Sequence, residues 1–161
     1  MPLEALAAAV QASDVSQALR TSVWLYPLVN TAHVVGVSLL FGAIVPLDLR
    51  LLGGFRAMPV RPLAAVLLPV ATGGLLLALV SGALLLATRA LDYLAQPLVA
   101  WKLALLGAAL VNVWVLHRDR RWHRADGPFS APTPLRWRLQ GLLSILLWLS
   151  VITAGRWIGY R

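Results

Sequence analysis

Three ionisable residues stand in stretches of the chain that are otherwise apolar, and they are the residues that could do chemistry. His33 lies within NTAHVVGVSLLFGAIVPLDLRLLGG, Lys102 near the start of WKLALLGAALVNVWVLH, and Arg156 within AGRWIGYR. Ionisable side chains are costly in hydrocarbon, so such positions are candidates for a functional site. An imidazole can ligate haem iron or hydrogen-bond a quinone carbonyl, and a nearby cation can pair with an anionic group of a ligand.

We predict that five residues converge on one site in the outer half of a helical bundle. They are His33, Lys102, Arg156, Asn30 and Tyr160. In one interpretation His33 ligates the iron of a b-type haem and the two cations pair with its propionates; in another, the same cluster binds a quinone. An anionic lipid headgroup on the two cations is a third interpretation. The ordinary alternative for the histidine is a buried hydrogen bond to a carbonyl.

A second polar layer, formed by Asp48, Arg50 and His117, is expected at the inner end of the bundle. We interpret this layer as structural, with Asp48 paired to an arginine at the helix end. His33 precedes Asp48 by about 22 Å along a helix that rises about 1.5 Å per residue, whereas His117 should be level with Asp48. One haem therefore cannot take both histidines of one chain. It would be five-coordinate on His33, or would share its iron with a second copy or a partner subunit.

The composition places these residues in a membrane protein. Of 161 residues, 60% are hydrophobic and 12% are charged, against about 25% charged residues in soluble domains. Residues 3–20 carry apolar residues near helical spacing, which predicts an amphipathic helix on the membrane surface. The runs long enough to span a membrane as helices cover about 23–48, 63–88, 97–117 and 138–157. The predicted fold is all-α: one domain over 1–161, an integral membrane four-helix bundle with an N-terminal amphipathic surface helix.

Membrane orientation explains the net charge of +8 better than nucleic acid does. The arginines concentrate in the first and third loops between the spans, and basic loops stay in the cytoplasm. Both termini are therefore expected on the periplasmic side of a bacterial inner membrane. The N-terminal residues lack a basic region followed by an apolar run, so we do not expect a cleaved signal peptide.

The sequence contains no soluble catalytic constellation. It has no cysteine, which excludes disulfides, iron–sulfur clusters and thiolate metal sites. It also has no nucleophile–His–Asp set, phosphate-binding loop or HExxH motif. We predict no catalytic residue; if the protein is redox-active, it is an electron-transfer subunit rather than a complete enzyme.

The second span carries small residues at four-residue intervals, Gly74, Ala78 and Gly82. This spacing lets two helices approach closely. Packing inside the bundle is the favoured interpretation, and a dimer face is the alternative.

Three stretches, taken in order, resemble an uncharacterised family of small four-helix bacterial inner-membrane proteins: YPLVNTAHVVGVSLLFGAIVPLDLRLLG, WKLALLGAALVNVWVLH and AGRWIGYR. The resemblance covers nearly the whole chain and implies a four-helix membrane domain, but no particular activity. The matching residues are His33, Asp48, Leu49, Arg50, Lys102, His117, Gly155, Arg156 and Tyr160. A looser similarity links the chain to b561-type membrane cytochromes and to copper-resistance membrane proteins. The chain departs from the cytochromes because it lacks histidine pairs at one level.

Three functions remain open at this point. The specific hypothesis is a small subunit of an electron-transfer system that binds haem b or quinone in the outer half of the bundle. The alternatives are a non-catalytic membrane scaffold or assembly subunit that docks a larger complex, and a small transporter. The expected partners are the lipid bilayer and either further copies of the chain, as a homo-oligomer, or the subunits of a larger membrane complex.

Overall fold

The computed structural model of the protein describes residues 2–119 and 133–160, and within these residues every regular element is a helix. The helices are α1 (Pro2–Gln11), α2 (Asp14–Thr21), α3 (Leu25–Leu52), α4 (Val60–Thr88), α5 (Ala90–Leu94), α6 (Pro97–His117) and α7 (Leu135–Ile158). The all-helical part of the fold prediction is confirmed.

Four of these helices, α3, α4, α6 and α7, are long and apolar enough to cross a membrane. Each overlaps one of the four predicted spans. Only 11–22% of the most apolar window of each helix is buried, so most of the apolar surface faces outwards. A protein folded in water hides such surface, whereas a helix in lipid exposes it. The architecture is therefore compatible with a multi-pass membrane protein.

The third helix runs one turn further than the predicted first span. It ends at Gly53, which adopts the left-handed conformation (φ 105°) that glycine tolerates best, and Gly53 and Gly54 donate their N–H groups to the carbonyls of Arg50 and Leu49. Asp48 and Arg50 consequently lie inside the helix rather than in a loop.

The N-terminal segment folds as two helices rather than as one helix over 3–20. The helix is interrupted between Gln11 and Asp14, and the Ser13 side chain caps the N-terminus of α2. Ser16 is fully buried and donates a hydrogen bond of 3.0 Å to the carbonyl of Ala87 on α4. The second helix is thereby fixed to the outer end of the bundle, the end at which α3 begins and α7 finishes.

Two clusters of buried apolar side chains form the core, and both lie towards the inner end of the bundle, where the α3–α4 loop is found. One contains Leu47, Leu51, Val60, Ala64, Leu116 and Trp137. The other contains Leu40, Ala43, Ile44, Ala71, Ala109 and Trp148. In the outer half, the buried residues of α3 and α4 are small or polar: Gly36, Gly74, Ala78, Ser81 and Thr88. Helix contact there depends on close backbone approach and hydrogen bonds.

Helices α3 and α4 approach each other closely through glycines. A Cβ atom on Gly74 would lie 2.5 Å from the amide nitrogen of Leu40 and 2.7 Å from the carbonyl oxygen of Gly36. A Cβ on Gly36 would meet the amide nitrogen of Ala78 at 2.6 Å. The small residues of the second span are therefore used for packing within the chain, which was the favoured interpretation.

Candidate functional site

His33 joins α3 to α4 in the outer half of the bundle. Its Nδ1 lies 2.9 Å from the carbonyl oxygen of Ala78 and 3.2 Å from the hydroxyl of Ser81. The hydroxyl of Ser81 itself donates to the carbonyl of Leu77, one turn back on α4. A carbonyl can only accept, so the ring carries its proton on Nδ1. The imidazole thus clamps the two helices together.

The bond made by Nδ1 leaves Nε2 as the other ring nitrogen, with its lone pair available. Within the part of the chain that the structure describes, Nε2 has no hydrogen-bond partner. The ring is half-buried and lies against α4, where a Cβ on Gly82 would be 3.0 Å from its Cε1. The histidine is therefore a fixed and oriented acceptor rather than a freely rotating side chain.

Lys102 of α6 is the cation closest to this arrangement. Its ammonium crosses to α7, where a Cβ on Gly155 would lie 3.0 Å from Nζ, and its charge acts on the ring of His33. Among residues 2–119 and 133–160, the ammonium finds neither an ion-pair partner nor a hydrogen-bond acceptor. The outer half therefore combines an oriented lone pair with an uncompensated positive charge.

The other three residues predicted for this site lie on the surface of the bundle. Arg156 donates a hydrogen bond of 2.8 Å to the hydroxyl of Tyr160 and stacks over its ring, with the guanidinium carbon 4.9 Å from the ring centroid. Asn30 is exposed on the first turns of α3. His33 and Lys102 are half-buried, so the five residues do not form one enclosed cluster. Arg156 directly follows Gly155 and thus stays close to Lys102.

An apolar groove of about 440 Å³ runs between the outer halves of α6 and α7 beside Lys102. Its lining is mostly apolar: Leu98, Trp101, Leu105, Leu146, Leu149, Ser150, Thr153, Ala154 and Trp157. Trp101 precedes Lys102 and Ala154 precedes Gly155 in the chain. Chain neighbours of Lys102 and Gly155 thus line the groove, whereas Lys102 itself does not.

At the inner end, the ion pair expected for Asp48 is not made with Arg50. The carboxyl of Asp48 receives a hydrogen bond from Ser144 on α7, whereas Arg50 donates from Nε to the carbonyl of Met58 at 2.6 Å and from Nη1 to Thr133 Oγ1 at 3.3 Å. Residues two apart in a helix point in different directions. The two side chains consequently face different neighbours.

His117, the third member of this layer, bonds within its own helix. Its Nδ1 donates to the carbonyl of Val113 at 2.8 Å, one turn earlier on α6. Lys102, at the outer end of α6, precedes His117 by 15 residues, which is about 22 Å along a helix. His117 is therefore far from the level of His33, as the span limits predicted, and one haem could not bridge them.

Several polar residues that take part in contacts between helices were not singled out from the sequence. Asn112 of α6 donates to the backbone carbonyl of Gln140 on α7 at 3.1 Å, and both residues are about nine-tenths buried. Ser81 and Ser144 are also buried partners of a titratable side chain. The available signal was their position inside apolar runs, where an amide or hydroxyl needs a partner.

No group of three or more His, Cys, Asp or Glu side chains that could hold a metal ion is found among the described residues. His123 and most arginines of the third loop lie outside those residues, as does Arg161. No protein-family model, curated protein or solved structure matches the chain.

Proposed function

We propose that the protein is an integral membrane protein of a bacterial inner membrane, with both termini on the periplasmic side and a place in the four-helix family that it resembles. The apolar surfaces of four long helices and the arginines of the first and third loops support this proposal. In this arrangement α1 and α2 lie on the periplasmic surface of the inner membrane, where α1 exposes Leu3 and Leu6 to the lipid headgroup region.

Within the membrane, we propose that the chain is the subunit of an electron-transfer system and that its outer half binds a quinone. The hydrogen bond from His33 Nδ1 to the carbonyl of Ala78 is the observation that carries the proposal. Because this bond holds the proton on Nδ1, Nε2 can accept a hydrogen bond from the hydroxyl of a reduced quinone. Lys102 can donate to the opposite oxygen and stabilise negative charge there.

A b-type haem on His33 is the second candidate, and the same hydrogen bond favours it. Histidines that ligate metals usually donate their other ring N–H to a carbonyl or carboxylate, which fixes the ring and makes the ligating nitrogen more basic. His33 Nε2 would hold the iron, and Lys102 with Arg156 would pair with the propionates. The sixth position would need a ligand from another copy of the chain or from a partner subunit.

The test separates the two roles of the imidazole. In His33→Asn the amide nitrogen can still donate to Ala78, whereas the acceptor at the Nε2 position is gone. His33→Gln has the opposite effect. Its longer side chain places an amide at the Nε2 position, but it loses the hydrogen bond to the carbonyl of Ala78. His117→Ala is the matched control, since that ring lies at the other end of the bundle and bonds to the carbonyl of Val113 in its own helix.

Each variant is purified in a mild detergent, and folding is checked by circular dichroism and size-exclusion chromatography. Quinone is extracted and quantified per chain, and reduced-minus-oxidised visible spectra are recorded. We expect near-stoichiometric quinone in the wild type and in His117→Ala, and its loss from a folded His33→Asn. A sharp α-band with the same dependence would favour haem. Absence of both in folded wild type purified with its native partners would refute the cofactor site and favour an assembly subunit.

A further inference from the structure

Asp48 lies in a second polar site in the inner half of the bundle, between the core residues Leu47 and Leu51 of α3. Its side chain is 5% exposed, and its Oδ2 has no hydrogen-bond partner among the described residues. Two side chains on α7 have the same defect: Gln140 (9% exposed) at Oε1 and Trp148 (3% exposed) at Nε1. Buried polar atoms are almost always paired, so these unpaired ones require an explanation.

Three residues of α7 lie on one helix face, and Asp48 packs against the middle of it. Gln140, Ser144 and Trp148 are spaced four residues apart and therefore share one face of α7. Ser144, the middle residue, donates to Asp48. Gly141 lets the helices meet there, because a Cβ on it would lie 3.0 Å from the backbone oxygen of Asp48. The carboxyl of Asp48 thus faces this stripe at close range.

No cation of the described residues compensates Asp48. Three basic or titratable groups at this end of the packed helices donate to backbone carbonyls, and a fourth is exposed. Arg50 of α3 bonds to Met58, His117 of α6 to Val113, and Arg138 of α7 to Leu52, while Arg61 of α4 is exposed. A buried carboxylate needs a positive charge or a proton beside it. The surroundings offer acceptor oxygens instead, from Gln140 and from Ser144.

We propose that Asp48 and Gln140 bind one small monovalent cation in the inner half of the bundle. This cation is either a proton carried by a water molecule or Na⁺. Asp48 Oδ2 and Gln140 Oε1 supply two acceptor oxygens, which suit a hard cation or a hydrated proton. A water that accepts from Trp148 Nε1 completes the site and pairs the remaining donor. The site is independent of the proposed quinone function, since Asp48 lies about 22 Å along α3 from His33.

Infrared difference spectroscopy of the whole chain in lipid nanodiscs tests this inference. One series steps the pH at constant Na⁺ and the other steps Na⁺ at constant pH. We expect a carboxyl band in one of the two series, lost in Asp48→Asn and kept in Asp92→Asn, whose carboxylate is exposed and paired with Arg89. A band in the pH series identifies the proton, and one in the Na⁺ series identifies the metal ion.

Two further variants keep the carboxyl in place. Gln140→Leu removes one ligand oxygen and should move the midpoint of the responding titration about tenfold, as expected for one hydrogen bond to a charged group. Ser144→Ala removes the donor to Asp48 and should shift the frequency of the band. The inference is overturned if neither series gives a band that depends on Asp48, or if the band is unchanged in both of these variants.

Discussion

Replacing Gly74 by alanine should separate α3 from α4, although it adds a single methyl group. The new Cβ would lie 2.5 Å from the amide nitrogen of Leu40, against the 3.4 Å at which ordinary contact begins, a shortfall of about 0.9 Å. Both atoms that the methyl meets at under 2.8 Å belong to the backbone of α3. A backbone cannot rotate away as a side chain can, so the helices themselves must move.

The magnitude follows from this displacement. A gap of 0.5–1 Å removes roughly a quarter to a half of the dispersion energy between facing atoms, and overpacking of this kind typically costs about 1–3 kcal/mol. The bond from His33 to Ala78, now 2.9 Å, crosses the same interface one turn away. Opening by about 0.9 Å would break it, which removes about 0.6 kcal/mol more for a hydrogen bond between membrane helices. Alanine favours the helix over glycine by up to about 1 kcal/mol, which offsets part of this loss. We therefore expect Gly74→Ala to lower the free energy of unfolding by about 1–3 kcal/mol.

Gly73→Ala is the matched control, because it changes the neighbouring residue of the same helix. A Cβ there meets nothing within 4 Å, and alanine favours the helix over glycine by up to about 1 kcal/mol. Both variants would be unfolded by titration with SDS in mixed micelles, followed by circular dichroism. Equal stability of Gly73→Ala and Gly74→Ala would falsify the interlocked packing of α3 and α4.

Three further predictions test contacts elsewhere in the bundle. Ser16→Ala removes the buried bond to Ala87 and should weaken docking of α2 by about 1 kcal/mol, seen as faster hydrogen exchange confined to the N-terminal helices; unchanged exchange would contradict it. Asn112→Ala removes the bond to Gln140 and should lower the free energy of unfolding by about 0.6–1.7 kcal/mol, measured by SDS titration; a stabilised variant would show that the bond contributes nothing. Asp92→Asn breaks an exposed ion pair with the arginine three residues earlier and should change stability by less than about 0.5 kcal/mol, so a larger change in the same titration would mean that the pair is not solvated.

The height of each residue along the bundle could be predicted from the sequence, but the neighbouring helix that its side chain faces could not. Height follows from counting residues along an apolar run, since a helix rises about 1.5 Å per residue. On this basis His33 and Lys102 were expected near one level, and His117 near the other end. Direction is read from amphipathicity, and a helix that is apolar all round has none. The contact of Asp48 with Ser144 could therefore not be predicted from the sequence. The small residues at four-residue intervals from Gly74 were the exception, because they marked the face of α4 that packs against another helix.

The same lack of amphipathicity decides what holds this bundle together. In the proposed membrane setting, lipid offers no hydrophobic driving force between helices, so close packing and polar contacts must supply the association. The inner half has large side chains such as Trp137 and Trp148 to interlock, whereas the outer half has the glycines of α3 and α4 and the bond of His33. That bond uses only one ring nitrogen. If the only role of His33 were to join the two helices, asparagine could replace it without loss. The behaviour of His33→Asn therefore separates a helix clamp from a ligand site that the clamp holds in position.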